Sequence, residues 1–306
     1  MNLGINFQLL RTIKTGLNKG KKMFEEKIKD LVFSSLIVDS YCLGMHWIYD
    51  ELALLEKDFD WQKLNAPRAI WHKGKKEGDF THYGDQTLWL YEFLKDKDSF
   101  DEELYSKYWY EKMKNYTGYI DGSSRNTVLN IENKVSPSGA SSTDLSIVGR
   151  ISPLLKVSKN KEEFFINVQK FVQITHNSSL ALMCADFFAK LLILALEKND
   201  ILDSILKLKE QYDDSFKELI QKGIDSKNQD TFETLRGFGV ACDIHDGISG
   251  VIHLLVKYDN LKQMIINNAK AGGDSSARAM IATIIFMANK EINQLPKEWL
   301  SINAKI

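Results

Sequence analysis

In "ARAMIATIIFMA", residues 277–288, only Arg278 and Thr283 are polar. A helix of that composition has no face to offer water, so other helices must cover it on most sides. The segment is entered through "AGGDSS". Gly272-Gly273 suits a tight turn with positive φ or a close backbone approach, and Asp274 falls where a helix N-cap belongs. A carboxylate at the mouth of the most covered helix is either a cap or a ligand for a cation or a polar substrate. The residues alone leave both open.

The rest of the chain supplies the covering helices. Apolar residues recur at helical spacing in "FEEKIKDLVFSSLIVDSYCLG", at Phe24, Ile28, Leu31, Val32, Leu36 and Leu43. Asp39 lies on that same face, where a buried charge needs a partner. Further helical runs are "TLWLYEFLKD", entered through Gly84-Asp85, "YSKYWYEKMKNY", a short one near "NTVLNIENK", "KEEFFINVQKFVQIT", "SSLALMCADFFAKLLILALEK" and "ILDSILKLKEQYDDSFKELIQKGI". "DGISGVIHLLVKYD" and "NLKQMIINNAK" precede the closing helix. No alternation over six or more residues reads as a strand, and four prolines in 306 residues suit long helices. The expected fold is all-α: residues 23–306 as a single compact, orthogonally packed helical domain, preceded by a basic extension over residues 1–22. The paired glycines do not make a GxGxxG motif, so a dinucleotide-binding fold is not expected.

Forty basic residues face forty-one acidic ones, for a formal net charge of −1. That balance gives no footprint for nucleic acid or an anionic membrane. "FFAKLLILAL" ends in Glu197-Lys198, so no membrane span is expected. Cys42, Cys184 and Cys242 show no CxxC spacing and are read as buried thiols of a reducing compartment. The first 22 residues carry Arg11, Lys14, Lys19, Lys21 and Lys22 without an acid, but no leader-like apolar core follows. A cytoplasmic protein, monomeric or a weak homo-oligomer, is expected.

Asp39, Asp85 and Asp274 stand on a covered face or at the starts of apolar helices, so each is a cap or part of one site. With Asn126, Ser141-Ser142-Thr143-Asp144 and Thr175-His176-Asn177 they suggest a single polar cleft. Carboxylates with few histidines or thiolates favour Mg²⁺ over zinc. His176 is equally readable as a structural histidine. His46 pairs with no serine or cysteine nucleophile motif.

Five landmarks in order then resemble the ADP-ribosylglycohydrolase family over roughly residues 23 to 290. They are "LIVDSYCLGMHW", "YGDQTLWL", "GASSTDLSIVGRISPL", "ITHNSSLALMCADFF" and "NNAKAGGDSSARAMIATIIFMA". The "HWIYD" and "GGDSSAR" strings resemble the branch that also holds the J1-crystallins. The resemblance implies an all-α domain that binds two Mg²⁺ ions and hydrolyses the bond joining ADP-ribose to an acceptor side chain. The family pattern has Thr-Asp-Asp-Thr at the second landmark and Gly-Gly-Asp-x-Asp-Thr at the last. Here Asp85, Thr87 and Asp274 match, while Gly84, Gln86, Ser276 and Ala277 depart from it.

Two hard cations at close range need carboxylates, so one Mg²⁺, held by Asp85, Asp274 and Ser276 with waters, is expected at most. Asp39 matches an aspartate of the family's first helix. The catalytic acid has no matching glutamate after "GMHW", and Asp50, then Glu51, is the nearest carboxylate. The candidate catalytic residues are Asp85, Asp39 and Asp50. Ser123, Ser124, Ser141, Ser142 and His176 are candidates for binding the ADP-ribosyl group of a small-molecule or ADP-ribosylated substrate. The leading expectation is hydrolysis of an N- or O-glycosidic bond to ADP-ribose or a related nucleoside-type group. The alternatives are a catalytically degenerate ADP-ribose or nucleotide-binding protein and a crystallin-like structural protein, whose cleft would be plugged by Trp47 and Tyr83.

Overall fold

The computed structural model describes residues 7–55, 58–290 and 295–304, with side chains described from residue 25 onward. The helices in chain order are α1 (Phe7–Cys42), α2 (Glu51–Leu54), α3 (His82–Leu94), α4 (Glu102–Lys114), α5 (Gly122–Glu132), α6 (Lys161–Thr175), α7 (Ser179–Leu196), α8 (Ile201–Lys209), α9 (Asp214–Asp225), α10 (Thr231–Phe238), α11 (Ile244–Lys257), α12 (Leu261–Lys270) and α13 (Ser275–Asn289). Short 3₁₀ helices at Ile70–His72, Leu145–Arg150 and Ser152–Val157 lie among them. Among the described residues there is no sheet, only isolated bridges between Ala140 and His176 and between Asp144 and Asp243. The fold is all-α. Residues 1–6 of the expected basic extension lie outside the described residues, and from residue 7 the extension belongs to α1.

α13 is the axis of the molecule. Every residue from Ser275 to Ala288 is buried, polar ones included. It packs against α1, α7, α11, α12 and the 3₁₀ turn Leu145–Arg150. Its apolar composition admits no solvent face, and burying its Ile, Met and Phe side chains stabilises the fold by about 1.5–3 kcal/mol each. Gly272 and Gly273 take φ of +70° and +59° as expected. A Cβ on Gly273 would meet Val240 O at 2.2 Å, so the loop before α10's successor and the start of α13 touch backbone to backbone.

Three local expectations change. α3 starts at His82, two residues before Gly84, because Thr81 Oγ1 accepts from Tyr83 N at 3.1 Å and caps the helix there. Gly84 and Asp85 are thus inside its first turn. The run from Ile201 to Ile224 is two helices, since Asp213 Oδ1 accepts from Phe216 N at 2.9 Å and starts a new one. α7 is long and apolar enough, by length and composition, to cross a membrane, with mean hydropathy 2.0 over 18 residues. In this fold α7 packs against α6, α8 and α13. Cys42 and Cys184 are buried, and Cys242 is only half-buried.

Candidate functional site

Three elements meet where α1 ends, α3 begins and α13 begins. Asp39, fully buried on α1, accepts from Thr81 N at 2.8 Å and from Thr81 Oγ1 at 2.6 Å. Its carboxylate lies so close to α3 that a Cβ on Gly84 would sit 2.2 Å from Asp39 Oδ2. The absence of a side chain at position 84 is therefore a packing requirement. Burial raises the Asp39 carboxyl to about 7, against the lowering effect of the Thr81 bonds.

Asp274 occupies the N-cap position of α13 without making a side-chain cap bond. Both of its oxygens are buried without a hydrogen-bond partner. His46 Nδ1 stands 3.6 Å from Asp274 Oδ1 and already accepts from Ser276 N at 3.4 Å. Two acceptors face each other there, an arrangement that favours a proton on the carboxyl. Burial and the neighbouring Asp144 push Asp274 up to about 8, with Arg278 opposing. Cap is the wrong description of this residue.

Asp85, in the first turn of α3, has its own cation. Lys75 Nζ lies 2.5 Å from Asp85 Oδ2, and Tyr116 OH donates to the same oxygen at 2.5 Å. Burial still raises the carboxyl, with Lys75 the main opposing influence.

A fourth aspartate, Asp121 at the cap of α5, was not singled out by the sequence. It accepts from Ser123 Oγ at 2.6 Å, Ser124 N at 2.7 Å and Ser124 Oγ at 2.9 Å, and His82 Nε2 is 3.4 Å away. Burial alone would raise it, but His82, Arg150 and the serine donors hold it below the usual carboxylate range. Arg150 itself donates to Gln86 Oε1 at 2.8 Å and Ser146 Oγ at 2.7 Å.

The space between these groups holds rings. Trp47, at a left-handed φ of +62°, packs on His46, His72, His82, Tyr83 and Tyr119, with centroids 4.8–6.5 Å apart. Tyr83 is fully buried, and burial together with nearby carboxylates pushes its phenol well above its ordinary value. Burial likewise lowers His46 far below its usual value, His72 to about 4, and His82 and His176 to about 3. Burial thus disfavours the charged imidazolium form of each. Nitrogens of all four lack partners: His46 Nε2, His72 Nε2, both of His82 and His176 Nε2.

The fold thus brings Asp39, Asp85 and Asp274 to one centre, with Asp39 coupled electrostatically to both others. Asp144 is beside them, and its carboxyl accepts from Ser146 N at 2.8 Å. The other candidates are placed differently. Asp50 is exposed and caps α2 through Leu52 N at 2.8 Å, and Glu51 pairs with Arg236 at 2.8 Å. Ser123 and Ser124 direct their hydroxyls at Asp121. Ser141 and Asn126 are exposed, and Ser142 Oγ accepts from Asp144 N at 3.2 Å. His176 is buried with Nδ1 2.9 Å from Thr175 Oγ1. Lys75 and His72 were missed because "WHKGKKEGDFTHYGD" reads as a charged loop, and Tyr116 because it only ends the aromatic run "YSKYWYEKMKNY"; His82, three residues before Asp85, carried a usable signal.

Comparison along the chain decides the assignment: the ADP-ribosylglycohydrolase model matches residues 21–303. The chain belongs to the ADP-ribosylglycohydrolase family. Among similar proteins, Crystallin J1A of Tripedalia cystophora is 21% identical over 300 residues, covering 90% of this chain and 92% of the crystallin. Crystallin J1B of the same organism is 22% identical over 306 residues, covering 91% and 94%. A solved structure titled "ADP-ribosylglycohydrolase-related protein complex" superposes with a TM-score of 0.64 at 13% identity, covering 90% and 92%. That likeness establishes the fold.

Members of this family are generally Mg²⁺-dependent, but the donors here do not fit a pair of Mg²⁺ ions. Gly84 offers no side-chain oxygen, and its side-chain space belongs to Asp39. Gln86 Oε1 already accepts from Trp109 Nε1 at 2.9 Å as well as from Arg150. Thr87 Oγ1 donates to Tyr83 O at 2.8 Å, and Ser276 Oγ points to Asp39 O at 3.5 Å. Among the described residues no group of three or more His, Cys, Asp or Glu is arranged to hold a metal ion. Protein cations balance the centre instead: Lys75 sits on Asp85, Arg150 lies near Asp121 and Asp144, and Arg278 lies near Asp274, while burial raises Asp39 and Asp274 to about 7 and 8.

Proposed function

We propose that this chain is a catalytically degenerate member of the ADP-ribosylglycohydrolase family, keeping the fold in a structural, crystallin-like role without hydrolysing ADP-ribosyl bonds. The observation that carries the reading is the contact between Gly84 and Asp39. The Asp39 carboxylate packs into the side-chain position of the missing ligand, so position 84 supplies no side-chain oxygen toward the pair of ions that would orient an attacking water. The Trp47–Tyr83 ring packing supports it, since a hydrolytic cleft needs a vacant point about 3 Å from a base. The names of the two crystallin relatives favour the same role.

A second reading, retained binding of ADP-ribose or a nucleotide, draws on the buried, unpartnered atoms of Asp274, His46, His82 and Tyr83. The decisive experiment combines calorimetry with Mg²⁺ and with ADP-ribose and turnover assays on arginine-, serine- and small-molecule-linked ADP-ribose. The structural role expects neither turnover nor binding. ADP-ribose binding without turnover moves the assignment to the binding protein, and Mg²⁺-dependent turnover lost in Asp274→Ala overturns both.

A further inference from the structure

At the Asp85 corner the cation is part of the chain. Lys75 follows the 3₁₀ helix Ile70–His72, its backbone N–H donating to His72 O at 3.0 Å, and its stem brings Nζ to 2.5 Å from Asp85 Oδ2. The two side chains are 20% and 16% exposed, so solvent and salt screen the pair only weakly. Tyr116 OH binds the same oxygen, and its ring lies 5.9 Å from the ammonium. Tyr116 also lines an open cavity of about 370 Å³ with Trp89, Tyr108 and Glu111.

We propose that Lys75 is a resident cation: its ammonium takes the coordination space at Asp85 that a divalent ion needs, and so keeps this centre metal-free. The inference rests on the non-hydrolytic reading above and adds its cause at one named residue. A hard cation needs a carboxylate oxygen at roughly 2.0–2.6 Å. Asp85 Oδ2 already holds an ammonium and a phenol, and an ion placed there would meet the ammonium at close range inside a poorly screened site. The replacement is also chemically one-sided. A bound Mg²⁺ keeps waters of its own, whereas an ammonium neutralises the carboxylate and brings no water with it. Lys75 therefore supplies the positive charge of the family's centre without the means to deliver a nucleophile.

The test is Mn²⁺ binding, read by electron paramagnetic resonance, together with the melting temperature in EDTA and in millimolar Mn²⁺. The wild type is expected to show no bound Mn²⁺ and the same melting temperature in both. Lys75→Met, which keeps the stem and removes the charge, is expected to melt lower in EDTA, to bind Mn²⁺ and to recover stability with it. Tyr116→Phe, with Lys75 in place, should gain no Mn²⁺ binding, and Lys75→Met/Asp85→Asn should lose what Lys75→Met gained. Lys75→Gln replaces the methionine variant if that one is insoluble, and folding of either only with Mn²⁺ counts in favour. The proposal is overturned if both variants fold and bind no Mn²⁺, if neither folds with or without it, or if the wild type binds Mn²⁺ at Asp85 equally well. Turnover by the wild type would sink the non-hydrolytic reading and this inference with it. A Lys75 variant without Mn²⁺ binding would sink only this one, since Gly84 and Asp39 are unaffected.

Discussion

Asp121 and Asp274 both precede a helix and are both buried, yet they are opposite in character. Asp121 receives two hydroxyl donors and a backbone N–H within 2.9 Å, with Arg150 and His82 nearby, and stays ionised. Asp274 receives no well-formed hydrogen bond, with only the Tyr83 phenol near it, faces the lone pair of His46 Nδ1, and is raised to about 8. Depth of burial is much the same for the two, at 7% and 1% exposure. The difference comes from donors, because a buried carboxylate keeps its charge only where hydrogen bonds and cations replace the lost water. A helix N-terminus alone does not supply enough of either.

The largest effect should separate these two aspartates directly. Asp121→Ala leaves Arg150 without a main counter-charge and is expected to lower unfolding free energy by about 3–5 kcal/mol. Asp274→Asn keeps the shape and removes only a carboxyl that is already protonated, and should change stability by less than about 1 kcal/mol at pH 7. Urea unfolding of both variants measures this, and equal losses would break the comparison.

Next comes Gly84→Ala, where the added methyl meets Asp39 Oδ2. Overpacking there is expected to cost about 1–3 kcal/mol. Pairing it with Asp39→Ala should relieve most of that loss, and a purely additive double variant would show that the 2.2 Å approach is not the cause.

The pH profile tests the same contrast on the wild type. Asp39 and Asp274 keep protons up to about 7 and 8 in the fold, whereas the unfolded chain releases them near 3.8, so these groups make stability fall as pH rises toward 8. His72, His82 and His176 titrate near 4 or 3 in the fold, against a usual 6.5, so they make stability fall as pH drops below 6.5. Thermal unfolding should therefore be most favourable to the native state near pH 6–7, with a decline of about 1–2 kcal/mol by pH 8. Asp274→Asn should flatten the alkaline limb and leave the acid limb. An unchanged alkaline limb would mean that Asp274 is ionised after all.

The smallest effect is expected at Asp50. As an exposed cap of a four-residue helix, its replacement by Ala should cost about 0.5–1 kcal/mol and leave ligand and Mn²⁺ titrations unchanged. A change in either titration would return Asp50 to the site.

Much of the fold was legible before any coordinates. The nearly all-apolar composition of residues 277–288 called for a helix covered on most sides, and Gly272-Gly273 suited the positive-φ turn that delivers the chain to it. Where the reading slipped, a single hydrogen bond decided: Thr81 moved the start of α3, and Asp213 divided α8 from α9. Such caps are local, but the sequence offers several side chains able to make them at each place.

The sequence by itself determined the family, the all-α architecture and the loss of ligands at Gly84, Gln86, Ser276 and Ala277, because residue type and order carry those facts. Only the tertiary structure decided what replaced them. Lys75 and Asp85 are ten positions apart across an irregular loop, Tyr116 is 31 positions further along, and Asp39 reaches Gly84 from another helix. No periodicity links such residues. Charge pairing in a buried centre depends on through-space distances of a few ångströms, and those are fixed by how α1, α3 and α13 pack rather than by spacing along the chain.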